Sequence, residues 1–293
     1  MKVDVRSIRY SMWNPSNNAV RVSENDMSRS KFIRDFVQNE KIQILNTLIP
    51  TNTTPKLIFQ FWDEEDIPKD VQECIETWRH FKSSGIEHFL FNKDTARKFI
   101  AYNLGNDYVK AFDRCYHPAM KSDYFRLCFI YSRGGFYVDV DDVYSGCDIE
   151  KLFTNQGVSL QPLCFDANTS AMVNPDKFVA DGECSEHWIF YFNNNPIIAP
   201  PRNPIIEYAL ARSTHLILEC DEDKLPEIQS TTGPGNMSAS VVAYLSDLRV
   251  FKQAQCLSVL SNWTTYGQTI WGLSYRNDKR NWRLSNRKKY TPI

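Results

Sequence analysis

Short apolar runs alternate with amphipathic stretches along most of the chain from Pro55 onward. The runs KLIFQFW at 56–62 and IEHFLF at 86–91 have the length and composition of buried strands. Between them, apolar residues recur at helical spacing until Gly85, a residue typical of helix ends. The same pattern predicts helices at 69–84, about 93–103, 107–115 and 118–133, and then a strand GFYVDV at 135–140.

Strands separated by helices of this length are typical of an α/β domain. We therefore predict a Rossmann-like, mainly parallel central sheet flanked by helices, in one main domain that covers residues 51–293. Ligands of open α/β sheets bind at the carboxyl ends of the strands, so those ends are where functional residues are expected.

Residues 1–50 have a different pattern and are predicted to form an N-terminal extension that packs on the main domain. The stretch VRSIRYSMWNPSNNAVRV at 5–22 predicts two short strands around a turn. The stretch 28–49 predicts a helix, because its apolar residues recur at roughly helical spacing: Phe32, Ile33, Phe36, Val37, Ile44, Leu45 and Leu48.

The segment RGGFYVDVDD at 133–142 ends a hydrophobic strand with three carboxylates. Strand alternation predicts that Tyr137, Asp139 and Asp141 share one face near the carboxyl end of the strand. Buried carboxylates are costly unless a cation, a ligand or water compensates them. Upstream, Asp123 and Arg126 are three residues apart on the predicted helix and therefore neighbours on its surface, so all these charges can reach one crevice.

Two carboxylates at i and i+2 suit Mg²⁺ or Mn²⁺, which bind through one or two protein carboxylates together with water and substrate phosphates. Asp139 and Asp141 are therefore candidate metal ligands, with a solvated acid cluster as the alternative. The five histidines lack the spacing of a zinc site.

The formal net charge of -1 gives no overall attraction to nucleic acid. Between Arg276 and Lys289, however, seven basic residues stand against the single acid Asp278. Such a segment is either a solvated tail or a surface that faces phosphate or a membrane.

The eight cysteines are scattered without CxxC pairs, which is typical of reduced cysteines in a protein core. The N-terminus does not resemble a signal peptide, and no run of 18 apolar residues occurs. We expect a cytoplasmic protein, with peripheral membrane contact through the basic segment as a further expectation.

Several motifs together resemble the DxD glycosyltransferases of family 32, which include α-mannosyltransferases and bacterial polysaccharide enzymes. The large clostridial glucosylating toxins are more distant relatives of this family. The motifs follow the family's order over roughly 54–240: TPKLIFQFWD, HPAMKSDYFRLCFIYSRGG, GGFYVDVD, NNNPIIAPPRNP and TTGPGNMS.

This resemblance implies a GT-A fold that binds a nucleotide-sugar through Mn²⁺ or Mg²⁺ and transfers the sugar with retention of its anomeric configuration. Trp62 would lie against the nucleobase, and Asp123 would accept hydrogen bonds from donor hydroxyls. Arg126 would contact sugar or phosphate, Asp139 the ribose or metal, and Asp141 the metal. Tyr137 belongs to the same donor-binding motif.

The acceptor side and the C-terminus are less well defined by the motifs. Asn195 and Asp181 are candidates for the acceptor side of the anomeric carbon. Relatives often carry a His and a Trp near the C-terminus, whereas the last histidine here is His215. We predict instead that the basic segment 276–293 closes over the donor and brings Trp282 and one of Arg276, Lys279 or Arg280 near phosphate.

The predicted function is a transfer from a nucleotide-sugar, preferably a UDP-sugar, to a glycan acceptor of a surface polysaccharide or lipopolysaccharide, including lipid-linked acceptors. A toxin-like transferase that modifies a protein is one alternative. A glycoside hydrolase with paired carboxylates and a non-catalytic sugar- or metal-binding module are the others.

Overall fold

A computed structural model describes residues 15–38, 53–81, 85–155, 157–221, 224–247 and 257–286. The strands are β1 (Leu57–Phe61), β2 (Glu87–Phe91), β3 (Gly135–Tyr137), β4 (Asp142–Tyr144), β5 (Val158–Asp166), β6 (Ala171–Met172), β7 (Trp188–Ala199), β8 (Leu257–Val259) and β9 (Gly267–Thr269). The helices are α1 (Asn17–Ser23), α2 (Asp26–Gln38), α3 (Lys69–Arg79), α4 (Lys93–Asn103), α5 (Asn106–Arg114), α6 (Pro118–Arg133), α7 (Pro175–Val179), α8 (Pro204–Glu219), α9 (Ile228–Thr231), α10 (Pro234–Ser246) and α11 (Trp282–Ser285).

The central sheet has the strand order β2-β1-β3-β7-β5-β6, and β8 lies beside β5. Strand β1 pairs in parallel with both β2 and β3, and β5 pairs in parallel with β8. The pairs that β7 makes with β3 and β5, and that β5 makes with β6, are antiparallel. The predicted α/β class, with a Rossmann-like central sheet flanked by helices, is confirmed; the parallel pairs belong to the β2-β1-β3 half and to β8.

Helix α6 is the main structural support of that parallel half. Proline at its first position and a cap by the His117 side chain start it, and Gly134, with φ 68°, ends it. Nearly the whole circumference of α6 is buried, and Phe129 stacks on Phe59 of β1 at 4.0 Å between ring centroids. Because most of α6 is buried, its two buried charged side chains, Asp123 and Arg126, must find their partners inside the protein.

Strand β3 is shorter than predicted. It ends at Tyr137, and residues 139–142 form a turn that the Asp142 N–H closes by donating to the Asp139 carbonyl at 3.2 Å. Side-chain amides take the backbone groups of Asp139: its N–H donates to Asn195, and its carbonyl accepts from Gln60. The prediction that Asp139 and Asp141 share one strand face is therefore wrong, because these amides replace the strand ladder at this point.

The described part of the N-terminal extension is helical. Residues 19–22, predicted as the second of the two short strands, lie in α1, because the Ser16 side chain accepts from the Ala19 N–H and caps a helix. The first predicted strand lies outside the described residues, as does the end of the predicted helix beyond Gln38. Helix α2 buries Ile33, Phe36 and Val37 in the same core as the central sheet.

The seven cysteines in the described part of the chain are free, in agreement with the prediction. Cys184 is exposed and Cys147 and Cys220 are half-buried, so the prediction that all cysteines lie in the core is wrong for these three. No helix among the described residues is both long enough and apolar enough to span a bilayer.

Gly135 is required by both its backbone angle and the space around it. Its φ is 115°, and a Cβ atom there would lie 2.3 Å from Leu57 Cδ1 on the neighbouring strand. Gly146 has a similar φ of 99° with nothing within 4 Å of such a Cβ atom. Gly135→Ala adds overpacking to backbone strain, so we expect it to lower the free energy of unfolding by about 1–3 kcal/mol more than Gly146→Ala does.

Urea unfolding of both variants, followed by circular dichroism, measures this difference. Equal losses of stability would show that β1 yields to the added methyl group at no cost.

Candidate active site

A cavity of about 1200 Å³ opens at the carboxyl ends of β1 and β3. Helix α6, the start of α10 and the C-terminal residues 263–283 complete its walls. The structure brings most of the predicted site residues into this lining: Trp62, Asp123, Arg126, Asp139, Asp141, Asn195 and Trp282. Tyr137 lies behind the lining, and Asp181 is exposed outside it, so Asp181 is not placed to act as predicted.

Arg126 is the centre of the site's hydrogen-bond network. Its side chain is only 4% exposed, and its Nη2 donates to Asp139 Oδ1 at 3.0 Å and lies 3.1 Å from Asp123 Oδ1. Its Nη1 donates to the Asn194 carbonyl at 2.7 Å. One buried guanidinium therefore pairs with two carboxylates, one from its own helix and one from the turn after β3.

Tyr137 positions Arg126 and Asp139 from the buried side of the site. Its hydroxyl donates to Asp139 Oδ1 at 2.6 Å and is 2.8 Å from the Ser122 hydroxyl. The Arg126 guanidinium carbon lies 4.0 Å from the centroid of the Tyr137 ring. Tyr137, predicted to bind the donor, is thus fully buried under the charged pair.

Asp123 has a fixed set of partners. Its two carboxylate oxygens accept from the Asn194 amide at 2.8 Å and from the Thr232 hydroxyl at 3.2 Å. Burial raises the pKa of Asp123 to about 6, although Arg126 and these hydrogen bonds act in the opposite direction. Asp123 is therefore oriented toward the cavity by groups that the sequence places far away.

Asp141 meets the C-terminal segment. Its Oδ2 accepts from the Tyr275 hydroxyl at 2.5 Å and forms an ion pair with Arg276 Nη2. Its backbone carbonyl accepts from the Ile270 N–H at 2.8 Å. Burial, followed by the nearby Asp139, raises the pKa of Asp141. Within the described part of the predicted closing segment 276–293, Arg276 thus contacts the turn 139–142, called the acid turn below, and 287–293 lie outside the described residues.

Asp142, the last residue of the turn, is fully buried and serves to hold it in place. Its carboxylate accepts from the Asn195 amide at 2.8 Å and from the Thr269 hydroxyl at 2.5 Å. Burial and the neighbouring acids raise the pKa of Asp142 to about 7. Since Asn195 also accepts from the Asp139 N–H, this single side chain ties both ends of the turn to β7.

The aromatic residues of the lining lie beside arginines. Trp62 is 7% exposed and meets the Tyr275 ring edge-on at 5.5 Å. The Arg280 guanidinium lies 5.5 Å from the Trp62 ring centroid, and that of Arg283 lies 4.7 Å from the Trp282 ring centroid. The flat rings of Trp62 and Trp282, each beside an arginine, can hold an aromatic base or a sugar ring at the cavity wall.

The carboxylate oxygens of Asp139 and Asp141 fit a hard cation that takes few ligands from the protein. Among the described residues, the hydrogen bonds to the Asp139 side chain are all accepted by its Oδ1. The Oδ2 of Asp141 accepts a hydrogen bond from Arg276. Within the described ranges, no three His, Cys, Asp or Glu side chains group closely enough to hold a metal. Two carboxylates alone suit Mg²⁺ or Mn²⁺, which accept water and phosphate as their remaining ligands.

Several residues of the site were missed at the level of sequence. Asn194, Tyr275 and Thr269 orient the acids; Asn194 lies in the motif NNNPIIAPPRNP without having been singled out, and Tyr275 and Thr269 lie outside the motifs. Asp63 also lines the cavity, and its buried Oδ1 has no hydrogen-bond partner in the described structure. Two signals were available: Asp63 ends the motif TPKLIFQFWD, and it follows β1 at the strand end where an α/β sheet binds ligands.

Comparison with known proteins agrees with this geometry. Residues 68–154, which include the acid turn, match a family model described as the glycosyltransferase sugar-binding region containing DXD motif. The chain is 23% identical over 235 residues to the initiation-specific alpha-1,6-mannosyltransferase of Candida albicans. The aligned region covers 72% of this chain and 60% of that protein. It is 29% identical over 111 residues to inositol phosphoceramide mannosyltransferase 2 of Schizosaccharomyces pombe. This alignment covers 36% of this chain and 30% of that protein.

A solved structure, the PaToxG glycosyltransferase, superposes with a TM-score of 0.43 at 14% identity over 92% of this chain and 96% of that one. The predicted resemblance to the DxD glycosyltransferases is confirmed by the family model over residues 68–154 and by the curated relatives. It spans 60% of the length of the first curated relative and 30% of the second.

Replacing Arg126 tests the network. Arg126→Met leaves Asp123 and Asp139 without their cation, so we expect a loss of about 3–5 kcal/mol of unfolding free energy at pH 7. Burial already raises the pKa of Asp123 to about 6, and removal of Arg126 raises it further. The folded variant then holds protons that the unfolded chain has released, so its stability falls as the pH rises from about 4 through 6 and above. The loss should therefore be smaller at pH 5 than at pH 7.

Arg212→Met is the matched control, because Arg212 is also buried but pairs with Glu24, whose side chain is 42% exposed. Denaturant unfolding at several pH values should give a shallower pH dependence for this control. The same pH dependence in both variants would contradict the proposed coupling of Arg126 to buried acids.

Proposed function

We propose that the chain is a GT-A glycosyltransferase that uses a divalent cation to transfer a sugar from a nucleotide-sugar to a glycan, with retention of configuration. One observation carries the proposal: Arg126 holds the acid turn at the edge of a cavity where a second arginine, Arg276, meets the same turn. Carboxylates for a cation and arginines for phosphate are the groups that departure of a nucleoside diphosphate requires.

Breakage of the bond between sugar and diphosphate leaves negative charge on the leaving phosphate. A cation held by Asp139 and Asp141 would supply positive charge to that phosphate. Arg126 fixes the direction of the Asp139 carboxylate, and Asp123 is oriented to accept a hydrogen bond from a donor hydroxyl. No enzymic base is assigned, because the departing phosphate can take the acceptor proton from the same face of the sugar.

The donor site follows from the same walls. Trp62 offers a flat surface for the base beside Arg280, and Trp282 lines the same cavity. We propose a UDP-sugar as donor, and the names of the two curated relatives make mannose the first sugar to test. Asn195, whose amide is occupied by the acid turn, acts in this scheme by positioning that turn.

The volume of the cavity supports binding of an acceptor beside the nucleotide-sugar. Sites for one small molecule are typically about 300–1000 Å³, and this cavity measures about 1200 Å³. We propose that the additional space takes a glycan of a surface polysaccharide or lipopolysaccharide, including a lipid-linked one; the name of one relative specifies an inositol phosphoceramide. A protein acceptor is the alternative.

Location is a further part of the proposal. A cytoplasmic protein at the inner face of the membrane would use basic residues of 276–289 for contact with anionic lipid. Three arginines of that segment line the cavity, so such contact would depend on the others: Lys279, Arg287, Lys288 and Lys289.

The hydrolase alternative has less support. A glycosidase requires one carboxylic acid free to deliver a proton to the leaving oxygen. Here Asp139 is paired with Arg126, and Asp141 with Arg276. Both carboxylates are thus engaged by arginines, which leaves neither of them free as a glycosidase's proton donor must be.

Calorimetric titration of UDP-sugars and GDP-mannose, with and without Mn²⁺, tests the proposal. We expect one donor to bind in a Mn²⁺-dependent manner and Asp141→Asn to weaken its binding at least about tenfold, equivalent to about 1.4 kcal/mol. Asp113→Asn is the control, because Asp113 is exposed and pairs with Arg97 outside the cavity. Absence of binding in the parent protein, or equal binding by both variants, would overturn the proposal.

A further inference from the structure

Arg276 occupies an unusual position in the site. It lies in the turn Ser274–Asn277 of the C-terminal segment, with its side chain 14% exposed. Its Nη2 contacts Asp141 Oδ2, and its guanidinium carbon lies 4.5 Å from the centroid of the Trp271 ring. The second acid of the DxD motif is therefore already paired with a cation that belongs to the chain itself.

The Arg276 guanidinium is also incompletely satisfied. Its Nε is buried and has no hydrogen-bond partner in the described part of the structure. A buried N–H of a charged group that lacks an acceptor is costly and rarely persists without a ligand. Because Arg276 lines the cavity, an anionic group bound there is the natural acceptor.

We propose that Arg276 exchanges partners during the catalytic cycle: it holds Asp141 while the site is empty, and it binds the donor diphosphate once a divalent cation takes Asp141. This inference rests on the proposed function and adds to it a competition between an arginine and the cation. Two positive groups cannot both lie close to the one Asp141 carboxylate without mutual repulsion.

The surrounding contacts permit a movement of the side chain alone. The backbone N–H and hydroxyl of Ser274 donate to Asp70 at 2.6 and 3.0 Å, and the Arg276 carbonyl accepts from the Asn281 amide at 2.8 Å. Upstream, β9 pairs with β4. The backbone is thus anchored on both sides of Arg276, while the long side chain can turn from the acid toward the cavity.

The other arginines of the site are less suited to this exchange. Arg126 is enclosed by Asp123, Asp139 and the Asn194 carbonyl. Arg280 makes a bidentate contact with Asp278. Arg276 differs from both in two ways. Its carboxylate partner, Asp141, is a proposed ligand of the cation, and its Nε has no hydrogen-bond partner among the described residues.

Partner exchange predicts effects of opposite sign on two ligands. Arg276→Gln removes the competitor of the cation, so the free protein should bind Mn²⁺ several-fold more tightly than the parent. The same variant loses a diphosphate contact, so UDP or GDP at saturating Mn²⁺ should bind about tenfold more weakly. A residue with a merely structural role would weaken both ligands together.

The experiment measures free Mn²⁺ by electron paramagnetic resonance in titrations of the purified protein, and then the binding of UDP and GDP by calorimetry. Arg283→Gln is the matched control, because it removes the same charge from the same wall without touching Asp141. Its gain in Mn²⁺ affinity should be clearly smaller than that of Arg276→Gln. Arg276→Lys, which keeps the charge, should recover part of the nucleotide binding.

The outcomes separate the two proposals. Unchanged or weaker Mn²⁺ binding by Arg276→Gln, equal gains in both glutamine variants, or a parent that binds no Mn²⁺ would overturn the exchange. Failure of the parent to bind any nucleoside diphosphate would overturn the proposed function and the diphosphate half of the exchange, whereas a gain in Mn²⁺ affinity would still identify Arg276 as the competitor at Asp141. If Arg276→Gln does not unfold cooperatively, the lysine variant decides: Mn²⁺ binding like that of the parent, with part of the nucleotide binding retained, supports the exchange, and weaker binding of both ligands overturns it.

Discussion

The ion pairs of Arg126 are the interaction on which the rest of the site depends. A buried arginine is tolerated only when its donors are used, and here they reach Asp123, Asp139 and the Asn194 carbonyl. These contacts join α6 to the turn after β3 and to β7. The position of the acid turn is consequently determined by the same packing that buries α6 between the sheet and its neighbouring helices.

A second arginine completes the charge balance from the opposite side. Asp123, Asp139 and Asp141 face Arg126 and Arg276, so these five groups carry a net charge of -1 when all are ionised. The two arginines differ in surroundings: Arg126 is enclosed by fixed partners, whereas the Nε of Arg276 has no hydrogen-bond partner among the described residues. This asymmetry suits a site in which one cation is structural and the other can be exchanged for a metal ion and a phosphate.

The sequence predicted those parts of the site that depend on local spacing. Asp123 and Arg126 are one helical turn apart, and the double glycine ends α6, so their meeting with the acid segment follows from α/β geometry. The shape of the acid turn did not follow, because it depends on Asn195, some 56 residues away in the chain. The pair of Asp141 with Arg276 spans 135 residues and lacks a local signal.

Local competition explains the other differences. Tyr137 has the alternation of a ligand-facing residue, yet its hydroxyl finds Asp139 and Ser122 inside the core. Residues 17–23 have the composition of a strand, but the Ser16 cap and burial against the core favour a helix. In both cases a side-chain hydrogen bond decided between conformations that the apolar pattern leaves nearly equal.

The most direct test of this account is a crystal structure of the protein with Mn²⁺ and a nucleoside diphosphate, compared with one of the free protein. The account predicts that Mn²⁺ lies on Asp139 and Asp141, that Arg126 keeps its contacts, and that Arg276 leaves Asp141 for a phosphate oxygen. Mn²⁺ or nucleotide bound away from the acid turn, or Arg276 still paired with Asp141 beside the bound metal, would contradict it.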